Sequence, residues 1–203
     1  MSKQEKINNR ARLIGLCQFP ELIEKKYFMD DPKNGQAKYS ANIWITSETA
    51  KKINDAAEKF ATAKGLQIVS YIEDMKGNKI EVPGFESPVK DGTNNKFRPK
   101  DRDGNLLDEW THIIYASSVY DIGLFDCRGT VKKLESDEEK NSVDWKGAEV
   151  AVDIAFFNKK GTNKVTAKLA KIGYRKQIIS YYVDDNPFDS VEGDEEDDSF
   201  DTV

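Results

Sequence analysis

The run Lys38–Thr46 (KYSANIWIT) alternates residue by residue and leads straight into a stretch of helical period. Tyr39, Ala41, Ile43 and Ile45 point one way; Lys38, Ser40, Asn42, Trp44 and Thr46 point the other. Period two with one apolar face is the pattern of a strand lying on a core. In Thr46–Lys64, Ala50, Ile53, Ala57, Phe60 and Ala61 recur at helical spacing. Thr46 or Ser47 caps this helix, Glu48 suits its first turn, and Gly65 supplies the stop. Its stripe is narrow and made largely of small residues, so the helix is expected to lie against a sheet or barrel.

Strand patterns dominate the rest. Residues 1–9 are a polar arm. Arg10–Phe19 reads as a first strand ended by Pro20, and Asn34-Gly35 as a turn before the alternating run. Gln67–Ile72 and Lys79–Val82 form a short hairpin about Lys76-Gly77-Asn78. Pro83–Leu107 is long and irregular. Trp110–Tyr120 is a β-branched and aromatic strand, and Ile122–Leu134 a strand pair or a bulged strand about Gly129. Glu135–Asp144 is an acidic, exposed connection. Ala148–Phe157 alternates with Val150, Val152, Ile154 and Phe156 inward, leaving Phe157 outward with Asp153. Lys164–Lys176 closes the set, with Val165, Ala167 and Leu169 on one face. The expected class is mainly β: a five-stranded Greek-key barrel of the oligonucleotide-binding (OB) type, with one surface helix and long loops. A β-sandwich is the rival architecture.

Charge divides the chain at Asp184. From Asn158 to Val183 there is no acidic residue, and from Asp184 onward no basic one. The last segment holds 10 of the 36 acidic residues and none of the 31 basic ones, so residues 1–183 carry a net charge of +5 beneath an overall −5. The reading is a nucleic-acid-binding domain over 1–183 and a disordered acidic tail over 184–203.

Catalytic patterns are missing from the sequence. There is no phosphate-binding glycine loop and no nucleophile elbow, and His112 is the only histidine. Cys17 and Cys127 stand far apart with no metal-ligand spacing, so neither a metal nor a cofactor is expected. No apolar signal core or membrane-length run occurs, which points to a soluble protein of a reducing compartment. A nuclease built from scattered internal acids is the enzymatic alternative.

Aromatic residues interleaved with cations are present instead. Trp44 lies near Lys38. Phe97 sits between Lys96 and Arg98, with Lys100 just beyond. Phe157 precedes Lys159 and Lys160, with Lys164 and Lys168 following, and Tyr174 precedes Arg175 and Lys176. Rings stack on any base and cations follow phosphates, a combination suited to single strands. Trp44, on a polar face, is either covered by a loop or helix or offered as such a platform.

The order of these segments resembles bacteriophage single-stranded DNA-binding proteins that carry one OB domain and an acidic C-terminal tail, the T-seven-like replication type and its relatives. The resemblance rests on KYSANIWI running into TSETAKKINDAAEKF, on DGTNNKF (Asp91–Phe97), on Tyr115-Ala116-Ser117, on EVAVDIAFF followed by VTAKLAKIGY, and on the tail. It implies DNA contacts at Tyr115 and at Phe157, which keeps the ring and lacks the hydroxyl. It also implies a tail that recruits replication proteins (polymerase, helicase or primase) and competes with DNA. Asp184, Asp185, Phe188 and Phe200 are the tail's candidate docking residues, although the chain ends in Val203 where such tails end in an aromatic.

The resulting expectation is a non-enzymatic, sequence-tolerant binder of single-stranded DNA in phage replication or recombination, in the host cytoplasm, as monomer or homodimer. Its expected DNA contacts are Trp44, Phe97, Arg98, Lys100, Tyr115, Phe157, Lys159, Lys160, Lys164 and Lys168. The alternative is an acidic-tailed interaction or assembly module that never meets nucleic acid.

Overall fold

The structure is a computed structural model that describes residues 9–27, 30–73 and 75–179. In chain order the elements are β1 (Arg10–Lys26), β2 (Lys38–Ile45), α1 (Ser47–Ala63), β3 (Val69–Glu73), β4 (Lys79–Pro83), β5 (Val89–Asp91), β6 (His112–Ser118), β7 (Gly123–Asp126), β8 (Lys132–Lys133), α2 (Asp137–Asn141), β9 (Ala148–Asn158) and β10 (Val165–Gln177).

Five strands close into a ring in the order β1, β2, β6, β10, β9 and back to β1. Every neighbour is antiparallel except β6 and β10, which run parallel through Ala116–Ala167 and Ser117–Lys168. This is the Greek-key OB barrel, and closure rules out the sandwich. Alternation fills the interior: Val150, Val152, Ile154 and Phe156 of β9 face Ile43, Ile45, Ile114, Val165 and Leu169, all buried. Each such side chain contributes about 1.5–3 kcal/mol of burial. Cys17 is in this core, and both cysteines are free thiols.

Helix α1 is capped by Thr46, whose hydroxyl accepts from the Thr49 N–H, and is followed by Gly65 at φ +69°. Its buried stripe is the expected one, Ala50, Ile53, Ala57, Phe60 and Ala61, and Phe60 meets Phe156 of β9 with ring centroids 5.9 Å apart.

Three local readings change. Pro20 does not end β1, which continues to Lys26 with register shifts on either side of Glu21. A proline at a bulge withholds an N–H that the ladder does not use. The parity of β10 also changes: beyond the shift between Leu169 and Lys171, Ile172 and Tyr174 are the buried residues. The acidic connection holds a second helix, α2, started by a capping box in which Ser136 and Glu139 bond reciprocally. The expected hairpin of β3 and β4 is present, and it forms a two-stranded sheet of its own.

Trp44 does face outward from the barrel, and it is 0% exposed. Register places it between Leu16 of β1 and Ile113 of β6, and Trp110 and Ile179 complete a second apolar cluster. Its indole N–H donates to Gln18 Oε1 at 2.8 Å. Gly92 lies directly on the ring, so close that a Cβ there would stand 2.4 Å from the indole. Trp44 therefore has no face to offer a base, and its place among the expected contacts is withdrawn.

Candidate nucleic-acid interface

The register of the barrel brings the two expected rings together. Ala116 pairs with Ala167, so one residue earlier Tyr115 of β6 lies in line with Thr166 of β10, and Thr166 pairs with Phe157 of β9. Ala116, Ala167 and Phe156 point into the core, so Tyr115, Thr166 and Phe157 point out. Tyr115 is 52% exposed and Phe157 56%. The result is a row across three strands: ring, small hydroxyl, ring. Strands lie about 4.8 Å apart, so the two rings rise from Cα positions about 10 Å apart with only a threonine between them. The Thr166 hydroxyl is tied to the Phe157 carbonyl at 3.1 Å.

Cations border the row. Ser117 pairs with Lys168, whose Nζ lies 4.0 Å from the centroid of the Tyr120 ring. The turn that carries Tyr120 is fixed by Ser118, which accepts from the Tyr120 N–H at 3.1 Å and donates to its carbonyl at 2.9 Å. Beyond Phe157, the β9–β10 loop is internally tied: Asn158 donates to the carbonyls of Thr162 and Lys164 at 2.8 and 2.9 Å, and Gly161 takes φ +81°. Lys159 and Lys160 stand exposed on this loop and pair with no carboxylate among the described residues. Between Phe157, Phe60, Lys64, Asn158 and Lys160 is a cleft of about 420 Å³.

Other expected cations are already engaged. Lys164 is 2.9 Å from Glu86, which also binds Lys90 at 2.6 Å. These two lysines hold the Glu86 carboxyl below its usual range. Arg98, expected at the DNA surface, has a side chain only 13% exposed that bonds the carbonyl and carboxylate of Asp108, so it braces the loop before β6 instead. Tyr174 is buried, with its ring against Trp145 and beneath Arg128, which removes it from the surface pairs.

The loop that covers Trp44 carries the third expected ring. Phe97 is 51% exposed, and its neighbours Lys96 and Lys100 are exposed as well. This ring meets Phe19 of β1, and the preceding residue, Gln18, pairs with Asn42, which pairs with Tyr115. Sequence reading did not single out Tyr120 or Phe19 as site residues, although both rings are exposed here. The cue for Tyr120 was Ser118 two residues before it, a turn-former at a strand end.

Elsewhere, Arg12 clasps Asp153 with two bonds of 2.7 and 3.2 Å and holds that carboxyl below its usual range. Among the described residues no group of three or more His, Cys, Asp and Glu is placed to hold a metal ion, and no helix is long and apolar enough to cross a membrane. Asp184, Asp185, Phe188 and Phe200 lie outside the described residues.

No family model matches the chain, and no curated protein sequence matches it either. Solved structures do match. The chain superposes on a C-terminally truncated single-stranded DNA-binding protein from bacteriophage Enc34 at TM-score 0.58 and 19% identity, covering 89% of this chain and 95% of that one. It superposes on the Enc34 protein in complex with single-stranded DNA at TM-score 0.58 and 20% identity, covering 89% and 97%. The fit to gp2.5, a single-stranded DNA-binding protein encoded by bacteriophage T7, is looser, at TM-score 0.47 and 12% identity over 96% and 98%. At these identities the likeness to the Enc34 structures is one of fold.

Proposed function

We propose that the chain belongs with the bacteriophage single-stranded DNA-binding proteins whose fold it shares, and that it binds single-stranded DNA without sequence preference. The observation that carries this reading is the outward row Tyr115, Thr166, Phe157 on the barrel wall, bordered by Lys168 and the Lys159–Lys160 loop. Half-exposed rings at this spacing keep a face open to solvent, and each takes the face of an unstacked base for about 1–3 kcal/mol. The lysines follow the phosphates and release their counterions. Phe97, with Lys100 beside it, extends the track, and Lys164 joins by exchanging Glu86 for phosphate.

The same arrangement discriminates against duplex. Bases stacked in a helix present no free face to a ring. The cations proposed to meet phosphates are on strands and loops, and α1 balances its exposed Lys51, Lys52 and Lys59 with Glu48, Asp55 and Glu58, so it is not a basic helix of the kind that enters a groove. The reading is therefore of a binding protein rather than an enzyme, acting in phage replication or recombination in the host cell.

In this reading residues 184–203 are a polyanion of the same sign as DNA. They compete for the track when it is empty and present Asp184, Asp185, Phe188 and Phe200 to replication proteins when it is filled. Titration of the full chain with oligo-dT and with a duplex of equal length, at several salt concentrations, tests the proposal. Strong preference for oligo-dT is expected; equal or negligible binding of both would leave the interaction-module reading.

A further inference from the structure

Phe19 occupies a backbone conformation that a bulky residue avoids. Its φ is +48°, in the left-handed region, and it precedes a proline, which narrows its choices further. It sits at the bulge of β1, between the Gln18–Asn42 and Glu21–Ser40 pairs. The ring is not bent back into the core to compensate: it is 49% exposed. It meets one other ring, Phe97, edge to face with centroids 5.4 Å apart, and Phe97 is equally exposed. Two half-exposed rings bury little of each other, so their contact does not account for the strained bulge.

Both rings are held firmly from behind. Gln18, the residue before Phe19, is buried and bonded to the Trp44 indole. The segment carrying Phe97 begins at Gly92 on that indole, and the Phe97 N–H is fixed by Asn95 Oδ1 at 2.9 Å. The covered Trp44 is thus the foundation of an exposed pair. Charge is supplied by Lys96, whose Nζ lies 4.7 Å from the Phe97 centroid, and by Lys100 on the same loop. Gln18 is also in the cross-strand row that leads through Asn42 to Tyr115, so Phe19 follows directly on a residue of that row.

We propose that Phe19 and Phe97 form a two-ring seat for one unpaired nucleobase, a contact separate from the Tyr115–Phe157 row, with Lys96 leaving the ring face to meet the phosphate of the seated nucleotide. The bulge at Phe19–Pro20 aims the ring, and strain of this kind persists where the surrounding structure over-determines it. This rests on the single-stranded DNA reading and adds a base-contacting residue, Phe19, to it.

The test uses the full chain with Phe19→Asn and Phe97→Ala. Asparagine accepts the left-handed region, so Phe19→Asn is expected to keep or raise the melting temperature while weakening oligo-dT binding about tenfold. Phe97→Ala is expected to weaken binding similarly. Photocrosslinking of an oligonucleotide bearing 5-iododeoxyuridine is expected to yield adducts at Phe19 or Phe97, which a purely structural role does not produce. Wild-type affinity in both variants, with adducts only at other rings, overturns the seat while leaving the broader reading intact. Failure of the wild-type chain to prefer oligo-dT overturns the broader reading and the seat with it.

Discussion

The indole of Trp44 donates to the side-chain oxygen of Gln18 at 2.8 Å, on the outside of the barrel yet out of reach of solvent. The bond belongs to the support of the surface and not to the surface. Trp44→Phe keeps most of the apolar volume and removes the donor, so stability is expected to fall by about 1–3 kcal/mol in urea unfolding. Oligo-dT affinity of the folded protein is expected to fall by no more than about tenfold, the effect expected of Phe19→Asn, because Trp44 acts only through the rings it supports. A larger loss would show that the indole meets DNA after all.

Lys159 and Lys160 stand on a loop that is tied internally and needs neither ammonium for its shape. Their double replacement by alanine is expected to leave the melting temperature in place. Each phosphate contact on a single strand contributes about 0.7 to the slope of log affinity against log salt, so the slope should become shallower by about 1.4. Titrations at four or five salt concentrations measure it; an unchanged slope removes these lysines from the track.

Deleting residues 184–203 removes ten negative charges from a body of net charge +5. Affinity for oligo-dT is expected to rise at low salt, and the salt dependence to steepen, because the internal competitor is gone. Equal affinity of the two forms at low salt would leave the segment with protein docking alone.

The start of α2 is sensitive to acid. Glu139 accepts from Lys132 at 2.6 Å and from the backbone N–H groups of Glu135 and Ser136, and these bonds hold its pKa at about 2. A carboxylate depressed on folding stabilises the folded state above its unfolded pKa. That contribution is lost as pH falls through the folded value. Thermal unfolding between pH 6 and pH 2 should therefore show an acid limb that Glu139→Gln makes shallower below about pH 4.3, the ordinary glutamate value. Identical limbs in both proteins would place the acid sensitivity elsewhere.

Period alone makes part of the fold legible in the sequence. Val150, Val152, Ile154 and Phe156 face the core because β9 alternates without interruption, and the same parity puts Phe157 outside. Trp44 was also placed outward correctly. Its cover comes from Gly92 and Trp110, remote in sequence, and no local pattern announces a loop folding back over a strand. Arg98 is similar: its partner Asp108 lies across a loop whose path depends on the covered cluster. Adjacency of Tyr115 and Phe157 depends on the parallel contact between β6 and β10, which joins strands far apart in the chain. Pro20 reads as a stop because it lacks the ladder N–H, but that lack matters only where the ladder needs the donor, and at a bulge it does not.

The central claim is that the Tyr115–Phe157 row is the base-stacking surface. Equilibrium binding of a labelled oligo-dT to the wild-type chain, Tyr115→Ala, Phe157→Ala and the double variant, at one fixed salt concentration, tests it most directly. Both side chains are exposed, so melting temperatures should barely change. Each single variant is expected to bind about tenfold or more weakly, and the double variant more weakly still. A double variant that is folded and binds oligo-dT as tightly as the wild type would contradict the account.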